Sequence, residues 1–430
     1  MRSLLWVGGV ALELLWLCMA CLGDLRAHAD WFLVYFFLAF LVYLALVRSV
    51  HLKSSSSSRA MAIGICLLGV LFRLTLLSLT PTLSDDIYRY LWDGRVQAAG
   101  LNPYRYAPSD PALAWLRTPE WTFINHPDIP TIYPPLMQVM FRFGVWLSPT
   151  VLMQKVPFLL CDVAIMGWLV WQLPRWGLSP AMSLIYAWHP LVIVEVAGSG
   201  HNDAWGVLWL LLGLGLWRDR TRLTATLAFA MSFLTKFTTA LLVPFYVVRA
   251  RKLLLAFLAV VFIGGLACWG SPHFTPGLGQ YSRQWEFNSS FYRVLMSLWK
   301  NPLGVRLLLG CGVMVLGFVL ARRHDDLLGY TVVMIQAAIL VTPVLEPWYL
   351  LWLIPLLCLR FSWPWLIFTG LSMLSYMVLV SYVRHGVWVI PLWATWVEYG
   401  PLYLWLVWRA WKQTVQTSDI RPQTSVMERS

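Results

Sequence analysis

The sequence predicts an all-α polytopic membrane protein with about 12–14 transmembrane helices and a partly helical first large external loop. Hydrophobic residues make up 59% of the 430 residues, and charged residues only 12%. Since about a quarter of the residues in a soluble domain are charged, this chain lacks the polar surface that water requires. Uncharged runs such as Leu208–Leu216 and Leu253–Gly265 then have to satisfy their backbone groups internally, as helices do in lipid. The 27 Trp and 17 Tyr suit a protein with two membrane interfaces.

The individual spans follow from the positions of the hydrophobic runs, because about 20 apolar residues cross the hydrocarbon core. The first run continues into further hydrophobic runs, which favours a retained first helix over a cleaved signal peptide. The pair 223–235 and 237–248 is too short for two ordinary crossings and predicts a broken hairpin lined by protein. The predicted segments are 4–22, 31–47, 60–80, 153–173, 179–196, 203–217, 223–235, 237–248, 253–270, 303–321, 327–344, 348–360, 364–382 and 396–411.

Basic residues cluster in short loops between the hydrophobic runs, which is typical of cytoplasmic loops. The clusters are Arg48, Lys53 and Arg59; Arg218, Arg220 and Arg222; Arg249, Arg251 and Lys252; Arg322 and Arg323; and Arg409 and Lys412. Their spacing predicts a cytoplasmic N-terminus. No basic stripe is interleaved with base-stacking residues, so the net charge of +12 does not indicate nucleic acid as a partner.

This topology divides the chain into four parts. They are N-terminal transmembrane helices at 1–80, an external loop with interfacial helices at 81–152, a transmembrane bundle with a second external loop (271–302) at 153–411, and a cytoplasmic tail at 412–430. The stretch 133–148 must not cross, or the basic clusters would no longer share one side. Its opening Tyr133, Pro134 and Pro135 and its internal Arg142 fit a helix that lies along the interface and packs the loop.

The seven Cys residues lie in or beside hydrophobic runs, at positions 18, 21, 66, 161, 268, 311 and 358. They lack the spacing of metal ligands. We expect small buried apolar residues, with neither a disulfide framework nor a zinc site.

The long external loop contains six of the chain's 20 acidic residues, beginning with Ser84-Asp85-Asp86 just beyond the third predicted span. Ser84 suits the N-cap of a helix that runs to about residue 99, and the first turn of a helix favours acidic side chains. Two interpretations stay open at this point. Asp85 and Asp86 are ordinary helix-start residues, or one of them is a catalytic carboxylate that accepts a proton from an acceptor hydroxyl.

An ordered set of short motifs runs from about residue 60 to about residue 360 on one predicted membrane face. It comprises Ser84-Asp85-Asp86-Ile87-Tyr88-Arg89-Tyr90-Leu91-Trp92-Asp93-Gly94-Arg95, Gly100-Leu101-Asn102-Pro103-Tyr104, Tyr133-Pro134-Pro135-Leu136, Gly200-His201-Asn202-Asp203, Trp285-Glu286-Phe287-Asn288 and Glu346-Pro347-Trp348-Tyr349. The set resembles the GT-C glycosyltransferases, and most closely the bacterial branch that resembles polyprenol-phosphate-mannose-dependent mannosyltransferases.

The resemblance implies a sugar donor on a polyprenyl phosphate, no nucleotide-binding fold, and inversion at the anomeric carbon. The catalytic Asp of such enzymes, first of an acidic pair just after a span, corresponds to Asp85, and Asp86 is the competitor for that role. The chain departs from better-known relatives by two extra hydrophobic segments before the loop. It also lacks their large soluble C-terminal domain, so the acceptor could be a lipid, a glycan or a protein.

A departing lipid phosphate gathers negative charge and requires fixed cations near it. Candidates on the predicted external side are Arg89, His201, Lys236, Arg283 and Lys155. Lys236 lies at the turn of the short hairpin, where it is either such a cation or a snorkelling or paired lysine. Lys155 and Asp162 share a helix face and could pair with each other, and Arg73 is another possible partner for Asp162.

Further candidates for binding the donor lie in the later motifs. His201, Asn202 and Asp203 could form an N-cap, bind sugar hydroxyls or donate to the phosphate. Glu286 and Asn288 suit sugar recognition beside aromatic rings, and Glu346 precedes a span without an evident structural reason. A divalent metal is possible, but no ligand cluster is evident, so no metal ligand or cofactor is assigned. In-membrane residues Glu13 and Glu195 are predicted to be paired in the bundle, and His189-Pro190 to mark a kink.

The leading hypothesis is a membrane glycosyltransferase that moves a hexose, with mannose suggested by the resemblance, at the external face of a bacterial cytoplasmic membrane. The alternatives are a lipid or oligosaccharide transporter or flippase, and a non-catalytic assembly subunit. A transporter would place charges at mid-membrane on broken helices in two matching halves. This sequence concentrates its polar residues on one face, and its halves do not match.

Overall fold

The computed structural model describes residues 2–52, 58–266 and 274–418, and the regular elements within these ranges are helical. One isolated parallel β-bridge joins Phe287 and Val344. Lys53, Cys268, the end of the predicted span 253–270, the start of the loop 271–302 and the tail after residue 418 lie outside the described residues. The prediction of an all-α fold is confirmed.

Three long helices open the chain and correspond to the first three predicted spans. Helix α1 covers Arg2–Cys21, α2 covers Ala29–Leu52 and α3 covers Arg59–Leu77. Ser58 caps α3, since its side chain accepts a hydrogen bond from the Met61 amide at 3.2 Å. Helix α1 packs against α2 and α3. The turn between α1 and α2 therefore returns to the end of the bundle at which α3 ends.

Two α-helices and two 3-10 helices make up the long loop. Helix α4 covers Asp86–Ala98 and α5 covers Pro135–Leu147, with 3-10 helices at Pro111–Leu116 and Pro119–Phe123 between them. Both helices that the sequence predicted here are present. The predicted N-cap of α4 was wrong by one residue: Asp85 rather than Ser84 lies at the N-cap position, and Ser84 Oγ accepts from the Asp86 amide at 3.3 Å. Helix α4 lies against α5 and α6. Its Gly94 allows the close approach, because a Cβ there would collide with the Phe141 carbonyl.

The remaining elements form the bundle and its connections. They are α6 Val151–Gln172, α7 Leu184–Ala187, α8 Pro190–Val192, a π-helix Ile193–Gly198, α9 Asp203–Arg218, α10 Arg222–Thr235, α11 Val243–Arg249, α12 Arg251–Gly265, α13 Phe274–Gln284, α14 Phe291–Trp299, α15 Pro302–Arg323, α16 Leu327–Val341, α17 Ile354–Leu359, α18 Trp363–Leu371, α19 Met377–His385 and α20 Leu392–Ser418. Short 3-10 helices extend or precede several of them, including Phe237–Leu242 before α11 and Pro347–Trp352 before α17.

Two of the predicted crossings are interrupted by a local break in the helix. The segments Pro180–Ala187 and Pro190–Gly198 meet at a bend of 54°. Pro190 has no amide hydrogen to continue the first helix, and His189 instead accepts the Leu191 amide at 3.2 Å. The predicted kink at His189-Pro190 is confirmed. The predicted broken hairpin is also present: α10 ends at Thr235, and Lys236 is extended, with φ −161° and ψ 135°.

Six of the described helices are long and apolar enough to cross a membrane, or seven segments if the bent pair is one span. Four shorter apolar helices accompany them: Arg222–Thr235, Phe237–Arg249, Leu327–Val341 and Pro347–Leu359. The number of about 12–14 crossings from the sequence included these shorter and broken segments. The protein is thus a multi-pass membrane protein that mixes full-length helices with shorter ones.

The helix ends separate into two groups. One end of the bundle, called here the loop end, carries the long loop and the turns at 199–202 and 342–346. The opposite end carries the ion pairs Arg175–Asp219 and Arg360–Asp326. The predicted basic clusters within the described residues lie in the turns at this opposite end. Their cytoplasmic orientation stays a prediction.

Inside the bundle, Arg73 of α3 forms a fully buried ion pair with Asp162 of α6. Arg73 also donates to the carbonyls of Gly69 and Ala187, at 2.9 and 2.7 Å. Lys155 does not pair with Asp162. Its ammonium donates to the carbonyls of Leu77, Leu79 and Ala197 at 2.6–3.2 Å, and its side chain is buried. Lys155 therefore connects α6 to the end of α3 and to the segment 193–198, and it is not a free cation for a phosphate.

Candidate active site

The two adjacent carboxylates at the start of α4 occupy different surroundings. Asp85 lies at the N-cap position, and its Oδ1 accepts a hydrogen bond from Arg26 Nη2 at 2.7 Å. Asp86 Oδ2 lies 3.4 Å from the Tyr90 hydroxyl and 3.9 Å from His201 Nδ1. The side chain of Asp86 is 34% exposed, whereas Asp85 is 19% exposed. One carboxylate is thus held by the α1–α2 turn, and the other remains accessible.

A row of polar side chains continues from Asp86 into the bundle. His201 Nε2 lies 3.3 Å from Glu195 Oε2, and Glu195 Oε1 accepts a hydrogen bond from the Tyr376 hydroxyl at 2.9 Å. The His201 ring stacks on Trp348, with centroids 3.7 Å apart and planes 13° apart. The π-helix that follows the bend at Pro190 brings Glu195 beside His201. The ring of His201 is therefore fixed between an acidic group and an indole.

Lys236 stands next to this row, at the break between α10 and the following 3-10 helix. Its ammonium pairs with Asp203 Oδ1 at 2.5 Å and lies 4.4 Å from the centroid of the Tyr349 ring. Trp352 donates its indole N–H to the same Asp203 oxygen at 2.7 Å. Lys236 remains 29% exposed, so it is a paired lysine that still reaches open space. The sequence left a paired lysine and a cation for the phosphate as alternatives. The lysine is paired, and its contact with a phosphate stays a prediction.

Glu346 completes the group, called here the polar cluster and consisting of Asp86, Glu195, His201, Asp203, Lys236 and Glu346. The Glu346 carboxylate forms no hydrogen bond or ion pair with another described side chain and is partly exposed. The segment that leads to it is held by the β-bridge, where the Leu345 amide donates to the Phe287 carbonyl at 2.9 Å. Six polar or charged side chains from four separate chain segments thus meet at the loop end.

The protonation of the cluster follows from its burial. Burial raises the pKa of Asp86 to about 6, against the lowering effect of the Lys236 ammonium. Burial also raises the pKa of Glu346 well above its ordinary value, and the carboxylates of Asp86 and Glu195 raise it further. Burial lowers the pKa of His201 well below its ordinary value, and Lys236 lowers it further. Near neutral pH, Asp86 is ionised and His201 is a neutral donor and acceptor.

Several buried polar atoms of the site lack a hydrogen-bond partner in the described structure. They are both ring nitrogens of His201, Glu195 Oε2, Asp203 Oδ2 and the Asn202 amide nitrogen. Buried polar groups in proteins are nearly always satisfied by protein, water or ligand. Their concentration beside Asp86 and Lys236 therefore indicates a place where a polar ligand or ordered water completes the site.

Other predicted site residues lie apart from the polar cluster or have structural partners. Arg89 pairs with Asp93 at 3.0 Å and donates to the Ile129 carbonyl at 2.8 Å, and neither contact involves Asp85 or Asp86. Arg283 is exposed on α13. Pro134 and Pro135 lie at the start of α5, and Tyr133 packs edge-on against the Tyr90 ring. The role of this motif in packing the loop stays a prediction.

The predicted sugar-binding residues of the second loop belong to a separate group. Glu286 accepts from the Tyr292 hydroxyl at 2.5 Å and lies 3.4 Å from Arg306. Asn288 is buried and donates to Glu398 at 2.8 Å. These contacts tie the loop to α14, α15 and α20. Their role in sugar binding stays a prediction.

Four residues of this region were not identified as site residues from the sequence. Arg26 contacts the acidic pair, Glu195 belongs to the polar cluster, and Tyr376 and Trp352 donate hydrogen bonds to members of the cluster. Glu195 was expected to be paired in the bundle, and it does accept from Tyr376, but it also lies beside His201. A weak signal existed, since Glu195 precedes His201 by six residues and both lie near the end of one predicted span. Arg26 carried no signal, because only tertiary contacts bring its turn to Asp85.

The grouping of metal-ligating side chains and the state of the cysteines bear on the predictions about metals and disulfides. Within the described residues, no group of three or more His, Cys, Asp or Glu side chains could hold a metal ion. The six described Cys residues are free thiols.

An all-α membrane bundle that carries an acidic pair and a polar cluster at one end is the architecture that the resemblance to GT-C glycosyltransferases implied. The chain belongs to the alpha-(1->6)-mannopyranosyltransferase family: residues 3–252, more than half of the chain, match the N-terminal domain of that family. Alpha-(1->6)-mannopyranosyltransferase A of Mycobacterium tuberculosis (strain ATCC 25618 / H37Rv) is 26% identical over 186 residues. The match covers 41% of this chain and 35% of the relative, so it spans about a third of the relative's length.

Proposed function

We propose that this protein transfers a mannosyl residue from a polyprenyl-phosphate donor to an acceptor hydroxyl. The reaction inverts the anomeric carbon and takes place at the external face of a bacterial cytoplasmic membrane. The observation that carries the proposal is the position of Asp86, an accessible carboxylate beside the exposed part of Lys236. Membership in a family of mannosyltransferases supports the sugar. The resemblance of the ordered motifs supports the lipid-linked donor.

In this mechanism a carboxylate of the acidic pair takes the proton of the acceptor hydroxyl. The acceptor oxygen then forms its bond to the anomeric carbon, while the bond from that carbon to the phosphate oxygen breaks and its electron pair leaves with the phosphate. The resemblance assigns the base to Asp85. The contacts favour Asp86, because Asp85 is occupied by Arg26 and Asp86 faces the polar cluster. A pKa of about 6 also leaves Asp86 mostly ionised, yet basic enough to accept a proton.

The departing phosphate requires positive charge and hydrogen-bond donors fixed in place before the reaction. Lys236 supplies the charge, and its pairing with Asp203 and stacking on Tyr349 keep the ammonium in one position. His201 supplies a neutral donor whose orientation is set by Trp348. Asn202 and Glu346 have polar atoms available for sugar hydroxyls. The acceptor, which could be a lipid, a glycan or a protein, is left open by these residues.

The test is a transfer assay with purified protein, radiolabelled polyprenyl-phosphate mannose and bacterial membrane lipids as acceptors. We expect a labelled product from the wild-type protein, and loss of it in Asp86→Asn with donor binding retained. Asp85→Asn is assayed in parallel, and a complete loss there with activity kept in Asp86→Asn would return the base to Asp85. Asp326→Asn, which removes a carboxylate from the ion pair with Arg360 at the opposite end, is the matched control. Absence of transfer from every polyprenyl-phosphate sugar tried would contradict the proposal.

A further inference from the structure

We propose that Arg26, in the turn between α1 and α2, is a positioning residue that holds the acidic pair in its productive geometry. The inference rests on the proposed function, since it assigns Arg26 a part in the same transfer reaction. It also gives a purpose to the turn that joins the first two helices, which lies within residues 3–252, the part of the chain that matches the family. Their connecting turn would then belong to the active site.

Four hydrogen bonds join this turn to the segment that leads into α4. The amides of Leu25 and Arg26 donate to Thr82 Oγ1 at 2.9 and 3.2 Å. Arg26 Nε donates to the Thr82 carbonyl at 2.6 Å, and its Nη2 donates to Asp85 Oδ1 at 2.7 Å. Arg26 thus binds both the backbone before the acidic pair and the first carboxylate of the pair.

The turn itself is built to hold its shape. Asp24 Oδ1 accepts from the amides of Arg26 and Ala27, at 2.9 and 3.1 Å. Gly23 has φ +66°, a left-handed conformation that glycine adopts without strain. The guanidinium therefore approaches Thr82 and Asp85 from a preformed turn, and little conformational freedom is lost on making the contact.

The consequence for catalysis follows from the sequence Asp85-Asp86. Successive side chains at the start of a helix point in different directions. Holding the Asp85 carboxylate in place therefore also fixes the direction of the Asp86 side chain. A charge-assisted hydrogen bond holds this geometry better than a neutral one. With Arg26 in place, Asp86 faces His201 and Lys236. Without it, Asp85 is free to turn towards Lys236 and compete for the cation.

A purely structural role is the alternative, and the exposure of the pair argues against it. Arg26 is 34% exposed and Asp85 19% exposed, and ion pairs near a surface contribute little to stability. Loss of Arg26 should therefore change the geometry of the acidic pair far more than the stability of the fold. That difference can be measured.

The experiment compares Arg26→Ala, Arg26→Gln and Arg26→Lys with the control Arg384→Ala. Arg384 forms an ion pair with Asp30 of α2 at 2.8 Å, also at the loop end, but contacts neither carboxylate of the acidic pair. We expect Arg26→Ala to lower kcat by about 10- to 100-fold, the range that a misplaced catalytic group produces, with the donor KM changed less than about threefold. Arg26→Lys, which keeps the charge, should recover part of kcat, and Arg384→Ala should match the wild type.

Thermal unfolding of each variant accompanies the assay. Equal kcat values for Arg26→Ala and Arg384→Ala would overturn the inference, as would a loss explained by a matching loss of folded protein. If Arg26→Ala does not fold, Arg26→Gln replaces it, since the shorter amide side chain removes the charge and retains two hydrogen-bond donors. A wild-type protein without transfer activity would contradict the proposed function itself. Active wild type with an unaffected Arg26→Ala would contradict only the role of Arg26.

Discussion

At the residue scale, the site depends on two adjacent aspartates that have different partners. Asp85 is engaged by a guanidinium from another part of the chain, and burial raises the pKa of Asp86 against the lowering effect of Lys236. Proteins usually assign different tasks to two neighbouring carboxylates by placing them in different environments. The division between Asp85 and Asp86 leads to predictions about pH and about the cation.

The acid limb of the pH profile should report Asp86. Because the base must be deprotonated and burial raises the pKa of Asp86 to about 6, kcat/KM should fall about tenfold per pH unit below that value. A solvent-exposed aspartate would place this limb near about pH 4. The measurement is kcat/KM from roughly pH 4.5 to 8, close to the range in which proteins tend to be most stable. A limb near pH 4 would contradict the assignment to Asp86.

Removing the charge of Lys236 should weaken both the binding of the donor and the departure of the phosphate. We expect Lys236→Met to lower kcat/KM by about 100-fold or more, as loss of a fixed electrostatic group does. The change also leaves Asp203 as an unpaired buried charge, which costs stability. The double variant Lys236→Met with Asp203→Asn separates the two effects. It should recover thermal stability but not transfer, and recovery of transfer would show that Lys236 is structural only.

At the element scale, the breaks in the helices bring the site together. The bend of 54° after Ala187 and the π-helix that follows carry Glu195 and His201 to the loop end. Because α10 ends before Lys236, the Lys236 side chain reaches the loop end. In a continuous helix it would lie along the bundle. Such departures from regular helix expose backbone groups, which is tolerated because these segments are surrounded by protein rather than lipid.

Gly200 tests the importance of this local geometry. It has φ +80°, and an added Cβ would lie 2.9 Å from Ile87 Cδ1 and from Lys155 Cγ. Gly200→Ala should therefore lower the free energy of unfolding by about 1–2 kcal/mol and shift His201 relative to Asp86, with a loss of transfer. Gly177→Ala is the matched control, since Gly177 has φ +70° but no atom within 4 Å of the added Cβ. It should show only the conformational cost, and equal activity in both variants would contradict the prediction.

At the scale of the whole molecule, the two ends of the bundle differ in chemistry. The loop end carries the acidic pair and the polar cluster, and the opposite end carries the basic turns. Between them, the buried pair of Arg73 and Asp162 connects α3, α6 and the bent segment. An unpaired charge there would be very costly, so the pair holds these elements in register.

The orientation can be tested by labelling in intact cells. In a variant whose native Cys residues are replaced, Ala114→Cys in the long loop should react with a membrane-impermeant maleimide added outside. Asp325→Cys, in the turn before α16, should react only after the membrane is made permeable. Both positions are exposed in the structure. The expectation comes from the positive-inside pattern. The reverse result would place the acidic pair in the cytosol and remove the external site.

The fold class, the long loop and the set of motifs that reach the site could be predicted from the amino-acid sequence. Composition excludes a soluble fold, and the length and order of the apolar runs put the loop, His201, Lys236 and Glu346 at ends of spans on one side. Helix α4 was predictable because Ser84, Asp85 and Asp86 favour the start of a helix. These conclusions depend on local patterns, which a chain displays without its partners.

The contacts between particular side chains could not be predicted from the sequence and depend on tertiary packing. Contacts between segments far apart in the chain place Arg26 on Asp85, Glu195 beside His201, and Lys155 among three backbone carbonyls. They also give Glu286 and Asn288 partners of their own. The physical reason is that the direction of a side chain at a bend or helix end depends on the elements packed against it. No periodicity in the sequence records that packing.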